Sequence, residues 1–406
     1  WKLCLHQCRP IWHHAKIFYR ASSVKINPFN LILLLLAATN VVAVAETQMQ
    51  WTDEASGHIV RRLTDLPETK CGTLYFHQEV FTADSRSMIF VGEKAGLRRI
   101  YVMDWQTGAT RQLTHGSSEN EVLAPKSRRL FFTRGRQVVA LRLDDGREKN
   151  LATLPETWDR PVRFSVNADE TMLASAEAQG LGVLQKRLGG GRLFDEVFAA
   201  HLTNRLFTVD IATGKVRVIL ATNTWLGHVQ FSPADPHLLM FCHEGPWADL
   251  DRIWLIHADG SDLRLAYQRQ AAREIAGHEF WSADGKFIWF DIPFPTRMNP
   301  ALSAVDVATF AVRRFPIPPE LASVHFNRSP DGLFLTAEGN ARNQRMSLLY
   351  QRDGRLEPEL LMTMAKHDYK NEPDTHVTPD GKWVVFHSDQ LGESQLYAVA
   401  VRKEHL

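Results

Sequence analysis

The chain has 406 residues, 44% of them hydrophobic and 23% charged, which suits one large all-β domain or two ordinary ones. Its 47 basic and 46 acidic residues leave a formal charge of +1, so no global field draws it to nucleic acid or to a membrane surface. No basic stripe of the kind nucleic-acid binding requires is present either.

The first segment reads as an export signal. Arg20 and Lys25 precede the apolar run Leu31–Ala38, and Ala43-Val44-Ala45 forms a small-residue cleavage site. The run holds Asn40 nearby and is short for a membrane span, which needs about 20 apolar residues. Residues 1–45 are therefore expected to be a signal peptide or N-terminal extension, cleaved near Ala45 from a periplasmic or secreted protein; a single anchor is the alternative. Cys4 and Cys8 fall within this segment, leaving Cys71 and Cys242 as free, partly buried thiols rather than a disulfide framework.

From residue 46 to 406 one unit recurs seven times. Each copy carries an apolar strand, a Ser/Thr-x-Asp-Gly-Lys-like turn, two further apolar strands and a second Asp/Gly turn. The copies centre on Phe81–Asp84, Ala124–Arg128, Phe164–Asp169, Phe231–Asp235, Trp281–Gly285, Ser329–Gly332 and Thr378–Gly381. Their spacing of roughly 40–50 residues is the period of a β-propeller blade. The step from the third copy to the fourth is longer. It carries an insertion over about 180–204 with Lys186-Arg187 and three glycines, in which Phe194–Leu202 is expected to be a short helix. The insertion is either a surface excursion or a basic lip over the axial cleft.

The last copy stops after Gln395–Val401 without a fourth strand, while Ile59–Thr64 (Ile-Val-Arg-Arg-Leu-Thr) precedes the first copy. The N-terminal strand is thus expected to complete the last blade, closing a seven-bladed ring and removing two sheet edges.

A propeller fixes where chemistry occurs. The innermost strand of each blade (a) starts at the face where the second strand (b) ends. Three residues before the landmark of each blade stand His228, His278 and His325, with Gln78 in the first blade and Asp374 in the last, near Glu372 and His376. Ends of strands b carry His243-Glu244, Glu338, and His387 with Asp389. Imidazoles are bases near neutrality and metal ligands. Mixed with carboxylates they suit a divalent ion such as Mn²⁺. The competing role for such residues is hydrogen bonding between blades. No G-x-S-x-G elbow, P-loop or dinucleotide fingerprint is present.

Specific strings narrow this further. Gly227-His228-Val229-Gln230-Phe231-Ser232-Pro233, Phe241-Cys242-His243-Glu244-Gly245-Pro246-Trp247, Asp251-Arg252-Ile253-Trp254 and Gly277-His278-Glu279-Phe280-Trp281 resemble the oligogalacturonate lyase family. So do His325-Phe326, the Ala337-Glu338-Gly339 string and Lys366-His367-Asp368. The Asp-Gly-Lys turns are less specific, since periplasmic TolB-like propellers share them. The resemblance implies a seven-bladed propeller that cleaves short uronate chains by β-elimination with a Mn²⁺-type ion. It implies His243 as the base, His278 as a metal ligand and Arg252 as a residue holding the acidic sugar. The family's Gln-x-x-His-x-His string reads here from Tyr369, so that its two histidines become Glu372 and Asp374, with His376 two residues on.

The expected cofactor is thus a divalent metal, Mn²⁺, held by His278, Glu372, Asp374 and His376. His228, His325, Glu244, Gln78, Lys186 and Arg187 are the expected substrate contacts. The expected partner is an acidic oligosaccharide. The rival readings are a TolB-type binding module without catalysis, and a lyase for another acidic polysaccharide.

Overall fold

The computed structural model describes residues 49–188, 193–292 and 301–402, so the export-like segment lies outside the described residues. Seven antiparallel sheets run in sequence order, six of four strands and one of five. The turn between strands a and b explains the repeating motif. In the fifth blade the Ser282 hydroxyl donates to Asp284 at 2.7 Å and accepts the Phe287 N–H at 2.9 Å, while Asp284 accepts the Lys286 N–H. Ser329 with Asp331, and Thr378 with Asp380, repeat this at 2.6 Å. One hydroxyl and one carboxylate thereby satisfy the backbone groups that a reversal exposes.

Closure follows the expected route. Ile59–Arg62 pairs antiparallel with Gln395–Ala400, joining Val60 to Val399 and Arg62 to Tyr397. One strand more than expected is present: Gln50–Thr52 lies outside Ile59–Arg62 in the same sheet. Val60 is fully buried and packs with Phe386, Tyr397 and Met346, so the closing strand shares one core cluster with the last two blades. Similar clusters fill each gap between neighbouring blades. Each fully buried Phe or Leu in them stabilises the ring by about 1.5–3 kcal/mol.

Polar side chains near the axis stitch the innermost strands. Gln78 donates to the Glu121 carbonyl at 2.7 Å, Gln230 to that of Glu279 at 2.7 Å and Asn327 to that of Thr375 at 2.7 Å. Gln78 is buried and committed to its neighbour blade, so its expected substrate contact is replaced by this structural one.

The insertion holds two helices, α1 (Leu181–Leu188) and α2 (Leu193–Ala199). The second matches the expected helix, and the first was not foreseen. Cys71 and Cys242 are free, as expected, and buried more completely than expected. Among the described residues, no helix is long and apolar enough to cross a membrane.

Candidate active site

Four blades aim a residue inward by the same backbone device. Asn120, His228, His278 and Asp374 take left-handed φ values of 57°, 48°, 52° and 46°. In the second, fourth and fifth blades the strand register shifts at this residue. A bulge in this conformation costs about 1–3 kcal/mol for a residue with a Cβ and re-aims its side chain. Glycine precedes both histidines for a steric reason. A Cβ on Gly227 would lie 2.7 Å from Glu244 Oε1, and one on Gly277 would lie 3.2 Å from the Trp247 ring.

Two polar clusters result. The first joins the fifth, sixth and seventh blades. The His278 and His325 rings are 5.0 Å apart, edge to face. His278 Nδ1 is bonded to Asp291 at 2.9 Å, and His325 Nδ1 to Glu338 at 2.7 Å. Asp374 lies 3.7 Å from His325 Nδ1, and Glu372 lies 3.8 Å from its Nε2. Burial opposes protonation of His278, but Asp291 outweighs it and raises the imidazole pKa. His325, without that help, is pushed down to about 3 by burial and by His278. Glu338 and Asp374 are raised well above the usual carboxylate range, by burial first, with the Glu338 charge adding to the effect at Asp374.

The second cluster lies between the fourth and fifth blades. Arg252 is fully buried and bonded to Glu244 at 2.8 Å and Glu279 at 3.0 Å, with its guanidinium 4.0 Å from the Trp247 ring centre. Burial opposes ionisation of Glu279, yet Arg252 outweighs it and brings the pKa down to about 2. His228 sits over this pair, Nε2 3.6 Å from Glu244 and Nδ1 3.5 Å from Glu279. Three facing atoms, His228 Nδ1, Glu244 Oε1 and Glu279 Oε2, are buried without a hydrogen-bond partner among the described residues. These atoms face one another just beyond hydrogen-bond length.

The mouth opens as two cavities of about 630 and 300 Å³ that share Tyr75 and Arg163. Asp374 lines the first, and His228 lines the second. Arg163 is exposed there, its guanidinium 4.4 Å above the Tyr75 ring, and it makes no ion pair among the described residues. Phe76 stacks on His325 at 4.3 Å and donates its backbone N–H to Asp374 Oδ1 at 3.0 Å.

The structure therefore brings together His228, His278, His325, Glu244, Glu372 and Asp374. Several expected roles change. Arg252 cannot hold a substrate carboxylate, because both its edges are spent on Glu244 and Glu279 and no part of it is exposed. His376 turns away and bonds the Leu74 carbonyl at 2.9 Å, where burial lowers its pKa to about 4. His243 pairs with Leu226 and stacks on Trp254 at 4.9 Å, on the opposite face of its strand from the clusters. His325 is 1% exposed and serves the first cluster, not a sugar. Glu244 lines the mouth but is bound to Arg252. Lys186 and Arg187 are exposed on α1 and line neither cavity; the part of the insertion that reaches the cleft is aromatic.

Sequence reading missed Tyr75, Phe76, Arg163 and Asp291. Asp291 was within reach, since it ends strand b of its blade as Glu244 and Glu338 do. Arg163 stands just before the landmark of the third copy, in the loop that leads into its first strand, where the other blades carry no charged residue at the matching position to point to it.

Among the described residues no three His, Cys, Asp or Glu side chains already stand as a metal-binding group. The donor chemistry nonetheless fits a divalent cation. Two imidazoles face two or three carboxylates, and burial raises the pKa of Glu338 and Asp374, a cost that a bound cation would offset. The Asp291 bond to His278 is the usual outer support of a metal-binding imidazole.

Comparison with known proteins points to one family. The sequence model of a family described as oligogalacturonate lyase matches residues 40–345. The chain is 27% identical over 377 residues to the oligogalacturonate lyase of Dickeya dadantii, covering 86% of this chain and 95% of that protein. It is 28% identical over 379 residues to the oligogalacturonide lyase of Pectobacterium atrosepticum, with the same coverage of 86% and 95%. Among solved structures, an oligogalacturonate lyase in complex with manganese superposes with a TM-score of 0.79 at 28% identity, over 88% of this chain and 96% of that one. The oligogalacturonate lyase of Vibrio parahaemolyticus superposes with a TM-score of 0.78 at 26% identity, over 87% and 96%.

Proposed function

The chain belongs to the oligogalacturonate lyase family, and from that premise we propose that it cleaves short acidic oligosaccharides of the oligogalacturonate class by β-elimination. The observation that carries this is the axial mouth, where an arginine without an ion pair among the described residues, a histidine and a carboxylate–imidazole cluster converge.

The reaction removes the proton from C5 of a uronate, forms the C4–C5 double bond and expels the glycosidic oxygen from C4. Removing that proton places a second negative charge next to the C6 carboxylate. A site must therefore neutralise the carboxylate and supply a base. Arg163 is the cation free to meet the carboxylate. His228 supports the role of base better than His243. It lines the cavity, and burial, the largest influence on it, lowers its pKa. The ionised Glu279 beside it steadies the imidazolium that forms.

His278, His325, Glu338 and Asp374 are the residues that would hold a divalent ion, Mn²⁺ by analogy with the manganese complex of the relative. Glu372 lies at the edge of that set. When bound, such an ion supplies Lewis-acid neutralisation of the carboxylate.

The test is a panel of uronate oligomers, including other acidic polysaccharide fragments, followed by the ultraviolet absorbance of a 4,5-unsaturated product. Activity on oligogalacturonate that chelator removes and Mn²⁺ restores supports the proposal. Absence of product with every uronate contradicts it, and binding to a protein partner instead would favour a scaffold. We also propose export to the periplasm or beyond, supported by the N-terminal segment; a mature N-terminus at or near residue 46 in protein recovered from that compartment checks it.

A further inference from the structure

The smaller cavity differs in character from the polar clusters behind it. Its outer wall is aromatic: Phe194 of α2, Trp225, Trp247 and Tyr75, with His228 and Arg163 at its inner end. Phe194 lies 5.5 Å from Trp225 and 5.9 Å from Trp247, yet keeps 46% of its surface exposed. A large apolar side chain left open at the entrance of a polar site calls for a ligand with both apolar faces and charge.

The placement of Phe194 is built, not incidental. The helix that carries it is seated by Phe198 on Gly245. A Cβ there would lie 2.6 Å from the Phe198 ring, and Gly245 holds a φ of 138° that a side chain would resist. Trp247, two residues on, is fixed by Glu244 through its indole N–H and by Arg252 across its face. The insertion and the active-site strand thus lock into one wall.

We propose that Phe194, Trp225 and Trp247 form a sugar-binding subsite for a third ring, the one on the reducing-end side of the ring that reacts. This inference rests on the lyase reading. Pyranose rings present C–H faces that stack on aromatic faces, and a uronate adds a carboxylate. Arg163, which meets the carboxylate of the reacting ring, lies at the junction of the two cavities and so places this subsite beside that ring. The insertion is then what makes the enzyme sense chain length. A dimer supplies only the reacting ring and the ring expelled from its C4, so it leaves this subsite empty; a trimer fills it.

The experiment compares kcat/KM on uronate dimer and trimer for wild type, Phe194→Leu and Phe194→Tyr. Leucine keeps the apolar contact of an exposed position while removing the ring; tyrosine keeps the ring. The trimer-to-dimer ratio falls about tenfold in Phe194→Leu and returns in Phe194→Tyr. An unchanged ratio in Phe194→Leu, with turnover intact, overturns the subsite and spares the lyase reading. Titration of tryptophan fluorescence with the same oligomers reads the subsite without turnover. Trimer binding weakened by Phe194→Leu in a protein that cleaves neither oligomer would keep the subsite and overturn the reaction. Identical trimer binding by wild type and Phe194→Leu overturns the subsite.

Discussion

Arg252 and Glu279 meet at 3.0 Å with neither side chain exposed to solvent. The pair, completed by Glu244, joins the fourth blade to the fifth directly beneath His228. An arginine beside an acidic-sugar site invites a substrate role, yet this one is a structural cation. Its removal would leave two buried carboxylates without a counter-charge.

Arg252→Ala should therefore lower the stability of the fold by about 3–5 kcal/mol, the usual cost of breaking a buried pair from one side. Denaturant midpoints at constant m-value measure this. A variant with wild-type stability and only a raised KM would return Arg252 to the substrate.

The Asp291 carboxylate fixes the His278 ring at 2.9 Å. Asp291→Asn keeps the size and removes the charge, and should weaken Mn²⁺ binding about 10- to 100-fold. Calorimetric titration of chelator-treated protein checks it. Equal affinity in the two proteins would remove His278 from the ion.

A third outcome concerns pH. Burial pushes His387 down to about 3, and its Nδ1 sits 3.0 Å from Thr73. The folded pKa lies below the unfolded one, near 6.5, so the unfolded chain binds more protons between those values. Stability from this group is therefore full above about pH 6.5 and is lost as pH falls toward 3. The loss between pH 7 and 4 is about 2–4 kcal/mol. His387→Gln should flatten the pH dependence of the unfolding midpoint over that range by a comparable amount. An unchanged slope would contradict a neutral, buried His387.

The ring was legible because its determinants are local and repeated. The Ser/Thr hydroxyl and the Asp carboxylate of each turn bond to backbone groups a few residues away, so spacing alone reveals them. Closure by Ile59–Arg62 was legible for a related reason: one blade lacked a strand and one strand lacked a blade. The site was legible only as a set of positions. Which way a side chain turns depends on partners hundreds of residues distant. His376 is drawn to Leu74, and His325 is sandwiched by Phe76, both from the broken inner strand of the first blade. His243 and Glu244 are neighbours in sequence, but strand alternation sends them to opposite faces. Spacing could mark the end of that strand; it could not say which of the two faced the axis.

The most direct test of the account compares His228→Ala with His243→Ala by the ultraviolet absorbance of unsaturated product from oligogalacturonate, with Mn²⁺ present and folding checked by thermal unfolding. The account predicts that His228→Ala loses about 10²- to 10⁴-fold in kcat, the usual worth of a general base, while His243→Ala keeps most of its turnover. The opposite pattern, with turnover retained without the His228 imidazole and lost without that of His243, would contradict it.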